Sequence, residues 1–417
     1  VAYASKVART IVVDRRWFPI TPGLATTLAR AVLEPVPQYL AGAARTGVPQ
    51  GTTLAVDSVP IQSGRAVVDL SASALSASPD LRRAMWAQFA ATLTQVASVS
   101  EVSLEANGAE LDLPETAGGV STVSTLGYQL QAFALTDRAI LRRGTGLTRV
   151  SSDRPPQDEP AKPVNTPASS QLPPIPLRWS SLALSWSGRE IAGVGDEGDS
   201  AHNGDLARWQ GTRMFQLPKL GRNLTRPSYD SLNGLWLAGQ SGDAARVWVI
   251  DTSLSPMEKA KPRAISVPWL ANRSVLALKV ATDNQRVALV TSDLKGHDVR
   301  VLVAGIVRSA NGGPVSLSAE PLRVGWPLTA ATDLAWVDDS TLAVVGKVGP
   351  TDPIGAELVE IGGKVTPMPP VDGARLVTNT GGLRGVVVLT NQGKVLARAG
   401  NGWQVLQTGS DFLFPGE

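Results

Sequence analysis

The 417-residue chain contains no cysteine and only two histidines. The first absence excludes thiol nucleophiles, thiolate metal sites and disulfides, but it does not assign a compartment. The second leaves little material for imidazole catalysis or metal ligation. His202 and His297 stand in the polar stretches "DSAHNGD" and "LKGHDVR". Neither has a partner at metal-ligand or dyad spacing, so both are read as ordinary loop histidines. No apolar run reaches the roughly 18 residues that a membrane-spanning helix needs. No basic run of the kind that grips a phosphate backbone is present either: 39 Lys and Arg stand against 36 Asp and Glu, a net charge of +3. The doublets in "LRRAMW" and "ILRRGTGLTR" are read as solvated faces, so no nucleic-acid partner is expected. No secretory signal is seen at the start, which opens at Val1 in an apolar-rich segment. The expectation is a processed or truncated product.

The chain is long enough for two or three domains. Residues 1 to about 115 read as mixed α and β. "ARTIVVDRRWFPI" is strand-like, and "TPGLATTLARAVLEP" predicts a helix with Thr21 as N-cap and Pro22 in its first turn. Leu24, Leu28 and Val32 share one face, and Pro35 stops it. "TTLAVDSVPIQSGRAVVDLS" predicts two alternating arms, Leu54 and Val56 on one, and Ala66, Val68 and Leu70 on the other, turning at Ser63-Gly64. A second helix opens at Ser78-Pro79-Asp80 and carries Leu81, Met85, Phe89 and Leu93 as a core stripe, closing with Val96. "VSEVSLEANGAELDL" reads as two strands joined at Asn107-Gly108. Trp86 lies one position off the stripe. Two readings stand for it: packing on a neighbouring strand or domain, which is favoured, and a partly exposed contact surface, for which it is the one candidate for partner contact.

Residues 154–176 hold eight prolines and few large apolar residues. Such a segment is an extended connector or surface loop. Beyond Ser180 helical periodicity ends. "SLALSWSGREIAGVG" recurs in outline as "SYDSLNGLWLAG", "VLALKVATDNQRVALVT", "DLAWVDDSTLAVVG" and "RLVTNTGGLRGVVVLT", each two alternating arms about a turn. The turns near Gly188, Gly234, Asn284, Asp339 and Gly382 recur at roughly 43 to 55 residues, the period of four-stranded propeller blades. "ARVWVIDTS", "DVRVLVAGIV", "AELVEIGGKVTPM" and "KVLARAGNGWQVL" supply outer strands. Tyr128 to Val150 supplies part of a further unit, so six blades are favoured over five. The predicted division is a mixed domain over 1–118 and an all-β propeller over 119–417.

No local chemistry emerges. The loop with Asp196, Glu197, Asp199 and Asp205 has oxygen ligands but not the EF-hand spacing, and reads as a solvated loop. Ser292 to Lys295 fits a Ser-x-x-Lys pattern without its companion motif, and reads as a turn. No nucleophile elbow, phosphate loop or zinc-protease motif is found. No cofactor, metal or catalytic residue is expected. Trp179, Trp186, Trp236, Trp248, Trp269, Trp326, Trp336 and Trp403 are expected to pack between blades rather than to form a carbohydrate-stacking surface.

The motifs "PQGTTL", "GRAVVDLS", "AQFAATLTQV" and "VSEVSLEANG" resemble the GerMN, or sporulation and spore germination, domain. That domain followed by a propeller resembles the LpqB family of actinobacterial lipoproteins. The resemblance implies a non-enzymatic protein anchored by lipid to the outer face of the plasma membrane, and association with a sensor histidine kinase of the MtrAB two-component type. It carries over no catalytic residues. The signal peptide, lipobox and cysteine of the family do not stand in this sequence, so the anchor is implied by resemblance alone. Binding of cell-wall glycan or peptide fragments is the alternative, and a propeller hydrolase the third reading.

Overall fold

The structure is a computed structural model that describes residues 1–7, 9–113, 123, 127–128, 138–151, 172–196 and 198–416. The boundary expected at 118/119 and most of the Pro-rich segment lie outside the described residues. No helix among them is long and apolar enough to cross a membrane.

The front module holds two sheets and two helices, of which Pro79–Leu93 packs on strands of both sheets and on the other helix. In the first sheet Ala2–Ser5 lies between Ile11–Val13 and Ala44–Arg45, both antiparallel to it. In the second, Arg65–Leu70 runs parallel to Glu101–Ala106, flanked by Ile61–Gln62 and Ala109–Glu110. A parallel pair needs a long crossover, and helix Pro79–Leu93 provides it. Both expected turns form: Ser63-Gly64 and Asn107-Gly108 all take positive φ, as a two-residue hairpin turn requires. The Leu54 arm differs. It pairs only through one bridge to Leu70, and Val56 is exposed.

Helix Leu24–Leu33 starts later than the sequence suggests. Gly23 is its N-cap, without a side-chain cap, and the Thr21 carbonyl accepts from the Leu24 amide in a turn just before it. Helix Pro79–Leu93 opens as expected, with Ser78 Oγ accepting from the Leu81 amide. Its residues from Ala84 to Leu93 are all buried, however. The helix packs on the other helix and on strands of both sheets, so its surroundings leave no wet face there. Two of its polar side chains are stitched inward. Gln88 donates to the Ala2 carbonyl and accepts from the Gly47 amide, and Thr92 Oγ1 accepts from the Ala2 amide.

From residue 138 the chain forms six antiparallel sheets among the described residues. The first begins with Trp179–Leu184 and Glu190–Gly195, the second with Ser228–Tyr229 and Gly234–Ser241, and the third with Arg273–Val280 and Arg286–Asp293. The fourth begins with Ala330–Trp336 and Thr341–Lys347, and the fifth with Ala374–Asn379 and Val386–Thr390. These pairs are the recurring arms read in the sequence. The sixth sheet joins Asp411–Leu413 to the hairpin Arg138–Arg143 and Gly146–Ser151. First strands of the first five sheets touch in succession, and Asp411–Leu413 touches Trp179–Leu184; the fifth and sixth sheets meet through a shared apolar cluster. The first strands therefore surround the axis, and the wheel closes by pairing the two ends of this region. Closure removes the two edges an open array would leave.

Apolar clusters fill the spaces between adjacent sheets. Ile140, Trp179 and Leu413 cluster between the sixth and first, and Val194, Leu237 and Trp248 between the first and second. Leu141, Val387 and Phe412 do so between the fifth and sixth. Polar stitches run alongside. Asp411 accepts from the Leu182 amide, Asp333 from the Val377 amide, and Ser228 Oγ from the Val280 amide, each across to the next sheet. The described tail of the Pro-rich segment is pinned as well, since Arg142 donates to the Ile175 and Pro176 carbonyls.

Candidate functional site

The front module is seated on the third and fourth propeller sheets. Arg286 is the centre of this seat. Its guanidinium has no solvent exposure and spans both bodies. Nε donates to Asp283 at 2.7 Å, Nη1 to the Val13 carbonyl at 2.9 Å, and Nη2 to the Asp339 carbonyl at 2.6 Å. The Trp336 ring lies beneath, 5.1 Å from the guanidinium carbon. A buried charge is tolerable only when paired and hydrogen-bonded. Burial alone would make this guanidinium less basic, but Asp283 and the other oxygens around it keep it firmly protonated. From the front module, Tyr39 donates to Asp14 at 2.8 Å. Burial, with Asp14 adding, pushes the Tyr39 phenol well above its ordinary range, so it remains a donor.

The rim repeats the design. Arg15 donates to Ser340 Oγ at 3.1 Å and pairs with Glu360 at 3.3 Å. Trp17 Nε1 donates to the Gly362 carbonyl at 2.9 Å. Close approach is secured by glycine. A Cβ on Gly305 would lie 2.8 Å from the Ala43 Cβ and 3.0 Å from the Tyr39 carbonyl. The result is one continuous apolar cluster, in which Tyr39, Leu40 and Ala44 join Val303, Leu334, Trp336, Val344 and Ile361. Just outside the seat Trp17 is 65% exposed and Ile20 94% exposed. The two stand three positions apart in one loop and are among the more exposed large apolar side chains of the described residues.

Comparison with known proteins agrees with this architecture. A family model described as the Lipoprotein LpqB beta-propeller domain matches residues 155–413. The chain belongs to that family. A second model, described as Sporulation and spore germination, matches residues 2–112 of this LpqB-family chain. Lipoprotein LpqB of Thermobifida fusca (strain YX) is 26% identical over 392 residues, covering 83% of this chain and 58% of that protein. Lipoprotein LpqB of Cutibacterium acnes (strain DSM 16379 / KPA171202) is 26% identical over 363 residues, covering 83% and 57%. The chain thus spans less than two thirds of the length of either relative. The first GerMN domain of the sporulation protein GerM from Bacillus subtilis is 28% identical, covering 25% of this chain and 78% of that domain, with a TM-score of 0.20.

The residues singled out in the sequence fall as follows in this LpqB-family fold. Trp86 is corrected. It is 4% exposed, and its indole donates to the Val102 carbonyl at 3.0 Å. A tryptophan enclosed between a helix and a parallel strand offers no surface to a partner. His202 Nδ1–H donates to the Asp199 carboxylate at 2.8 Å, and the ring stands edge-on to the buried Trp179 ring. That hydrogen bond holds the Asp199 carboxyl below its usual range. The other acids nearby serve the chain itself: Asp196 accepts from the Gly198 amide, and Asp205 from Gln216 and the Lys219 amide. Glu197 lies outside the described residues. No metal-holding group of three or more such side chains occurs among the described residues. Ser292 is buried and donates to the Asp293 carbonyl, while Asp293 accepts from the Lys295 and His297 amides, so this stretch is a self-capped turn.

Most of the tryptophans pack between sheets, as expected. Trp186 donates to the Tyr229 carbonyl, Trp336 to the Lys279 carbonyl, and Trp403 to the Pro369 carbonyl. Trp326 departs from this. It is 64% exposed, with the Arg323 guanidinium 4.0 Å over its ring. Sequence reasoning missed the seat entirely. Arg286 looks like any strand residue beside "TDNQ", and its partners lie 273 and 53 positions away.

Proposed function

We propose that this chain is the extracytoplasmic part of a lipid-anchored, non-enzymatic binding protein, and that it modulates a membrane sensor histidine kinase of the MtrAB type by engaging its outer domain. The observation that carries this reading is the seat. Two modules locked through Arg286, Tyr39 and a shared apolar cluster present one fixed composite surface, with Trp17 and Ile20 standing out from its rim. Such a body biases a kinase only if it binds one signalling state more tightly than the other. Rigidity favours that, since little is lost to ordering on binding. Membership of a family whose relatives are named lipoproteins supports the anchored location.

Titration calorimetry with the purified outer domain of the kinase tests this. Binding in the micromolar range is expected, weakened about tenfold by Ile20→Asp, which places a charge in the apolar contact. No heat of binding at high micromolar concentration would refute the reading. The cell-wall reading is kept as the second, because a cavity of suitable size adjoins the seat.

A further inference from the structure

We propose that a small cavity in the front module, between the turn after its first strand and the start of helix Pro79–Leu93, binds a phosphate group, free or as a phosphomonoester on a larger molecule. The inference stands apart from the kinase reading and shares no residue with Trp17 or Ile20. The cavity measures about 180 Å³. Whole small-molecule sites measure roughly 300–1,000 Å³, so this one takes a single group and leaves the rest of a ligand outside. Separate elements supply its walls. Ser5 ends strand Ala2–Ser5, and Lys6, Val7 and Arg9 lie in the turn that follows. The Ser5 amide closes that turn by donating to the Thr10 carbonyl, and Ser5 Oγ accepts from the Val7 amide. Arg45 sits on the neighbouring strand, opposite Ala4. Asp80 and Arg83 come from the start of the helix, and the buried Tyr128 completes the lining.

The sign of the ligand follows from the charge count. Four cations, Lys6, Arg9, Arg45 and Arg83, line the cavity against one acid, Asp80. Asp80 is already taken, since it accepts from Arg83 at 3.1 Å. Lys6, Arg9 and Arg45 have neither an ion pair nor a side-chain hydrogen bond among the described residues. Lys6 and Arg9 are exposed and Arg45 is half-buried, so these charges stay open to solvent and to an anion. The arginines at the heart of the fold differ: Arg142, Arg208, Arg226 and Arg286 each donate to a carbonyl or a carboxylate. Like charges gathered around one hollow raise the local potential and draw anions to it. Guanidinium forks match the oxygens of carboxylate and phosphate alike. Here the cations come from three separate elements, which suits a phosphate, with oxygens on every side, better than a planar carboxylate.

The test is a calorimetric titration of the whole chain with inorganic phosphate, with acetate as the planar comparison. Saturable heat with half-saturation at about 1 mM or below is expected for phosphate, and weaker binding for acetate. In the Lys6→Ala/Arg9→Ala double variant, whose changes are at exposed positions, the half-saturating concentration should rise about tenfold or more. Lys295→Ala/Lys394→Ala, which removes the same charge from exposed positions on the propeller, should leave it unchanged. Vesicles of phosphatidylcholine doped with phosphatidic acid then identify the source. Cosedimentation that the Lys6→Ala/Arg9→Ala variant abolishes assigns the phosphate to a lipid headgroup, and no cosedimentation assigns it to a soluble ligand. No heat with phosphate up to about 20 mM, equal affinity for acetate, or half-saturation unchanged by Lys6→Ala/Arg9→Ala or raised equally by both double variants overturns the proposal. None of these results depends on whether the kinase domain binds.

Discussion

Glu357 shows how one side chain sets a pH dependence. It lies on the third strand of the fourth propeller sheet, 7% exposed, with Oε2 buried and unpaired. Burial, with Asp352 adding, raises its carboxyl to about 6 from an ordinary 4.5. The folded protein therefore holds a proton that the unfolded chain has released. Its contribution to stability is present below about pH 4.5 and declines as pH rises through about 6. A shift of this size corresponds to about 2 kcal/mol, which solvent screening reduces to about 1 kcal/mol. Glu357→Gln should stabilise the protein by about that amount near pH 8 and by almost nothing near pH 4. Urea unfolding at both pH values checks it; equal effects at the two would contradict the assignment. Nothing in "GAELVEIGG" signals this, because alternation shows which face a residue takes and not how deeply the next sheet covers it. Trp86 teaches the same lesson on a helix. Its position off the stripe was legible, but the sheet waiting on that side was not.

At the scale of elements, the hairpins were readable and the closure was not. "SWSG" and "TDNQ" turn where Gly188 and Asn284 adopt positive φ, which is chemistry local to the turn. The strand Asp411–Leu413 is too short to announce itself, and its partner Arg138–Arg143 lies about 270 residues earlier. What holds it is burial: Phe412 and Phe414 are 3% and 0% exposed and join Leu141 and Val387. Phe414→Ala should cost about 3–4 kcal/mol in urea unfolding. A loss below about 1 kcal/mol would mean that the closing strand does not hold the ring together.

At the scale of the molecule, the continuous apolar cluster across the seat predicts that front module and propeller unfold together. Calorimetry should show a single transition. Gly305→Val should split it in two: its φ is not in the left-handed region, so the strand accepts a side chain, but the Cβ strikes Ala43, Tyr39 and Leu40. Filling a closed contact typically costs about 1–3 kcal/mol, and here the cheapest relief is for the front module to lift away. A single undisturbed transition in that variant would show that the seat does not couple the two.

The amino-acid sequence by itself determined the kind of most elements, most of their turns and the order of a mixed module before a wheel of sheets. These follow from periodicity and turn residues, which act over a few positions. Only the tertiary structure decided that Trp86 is enclosed, that Arg286 ties two modules together, and that Arg308 reaches Asp230 from 78 positions away. Each depends on groups brought together from far along the chain, and burial and the pairing of charge are properties of what surrounds a residue rather than of the residue.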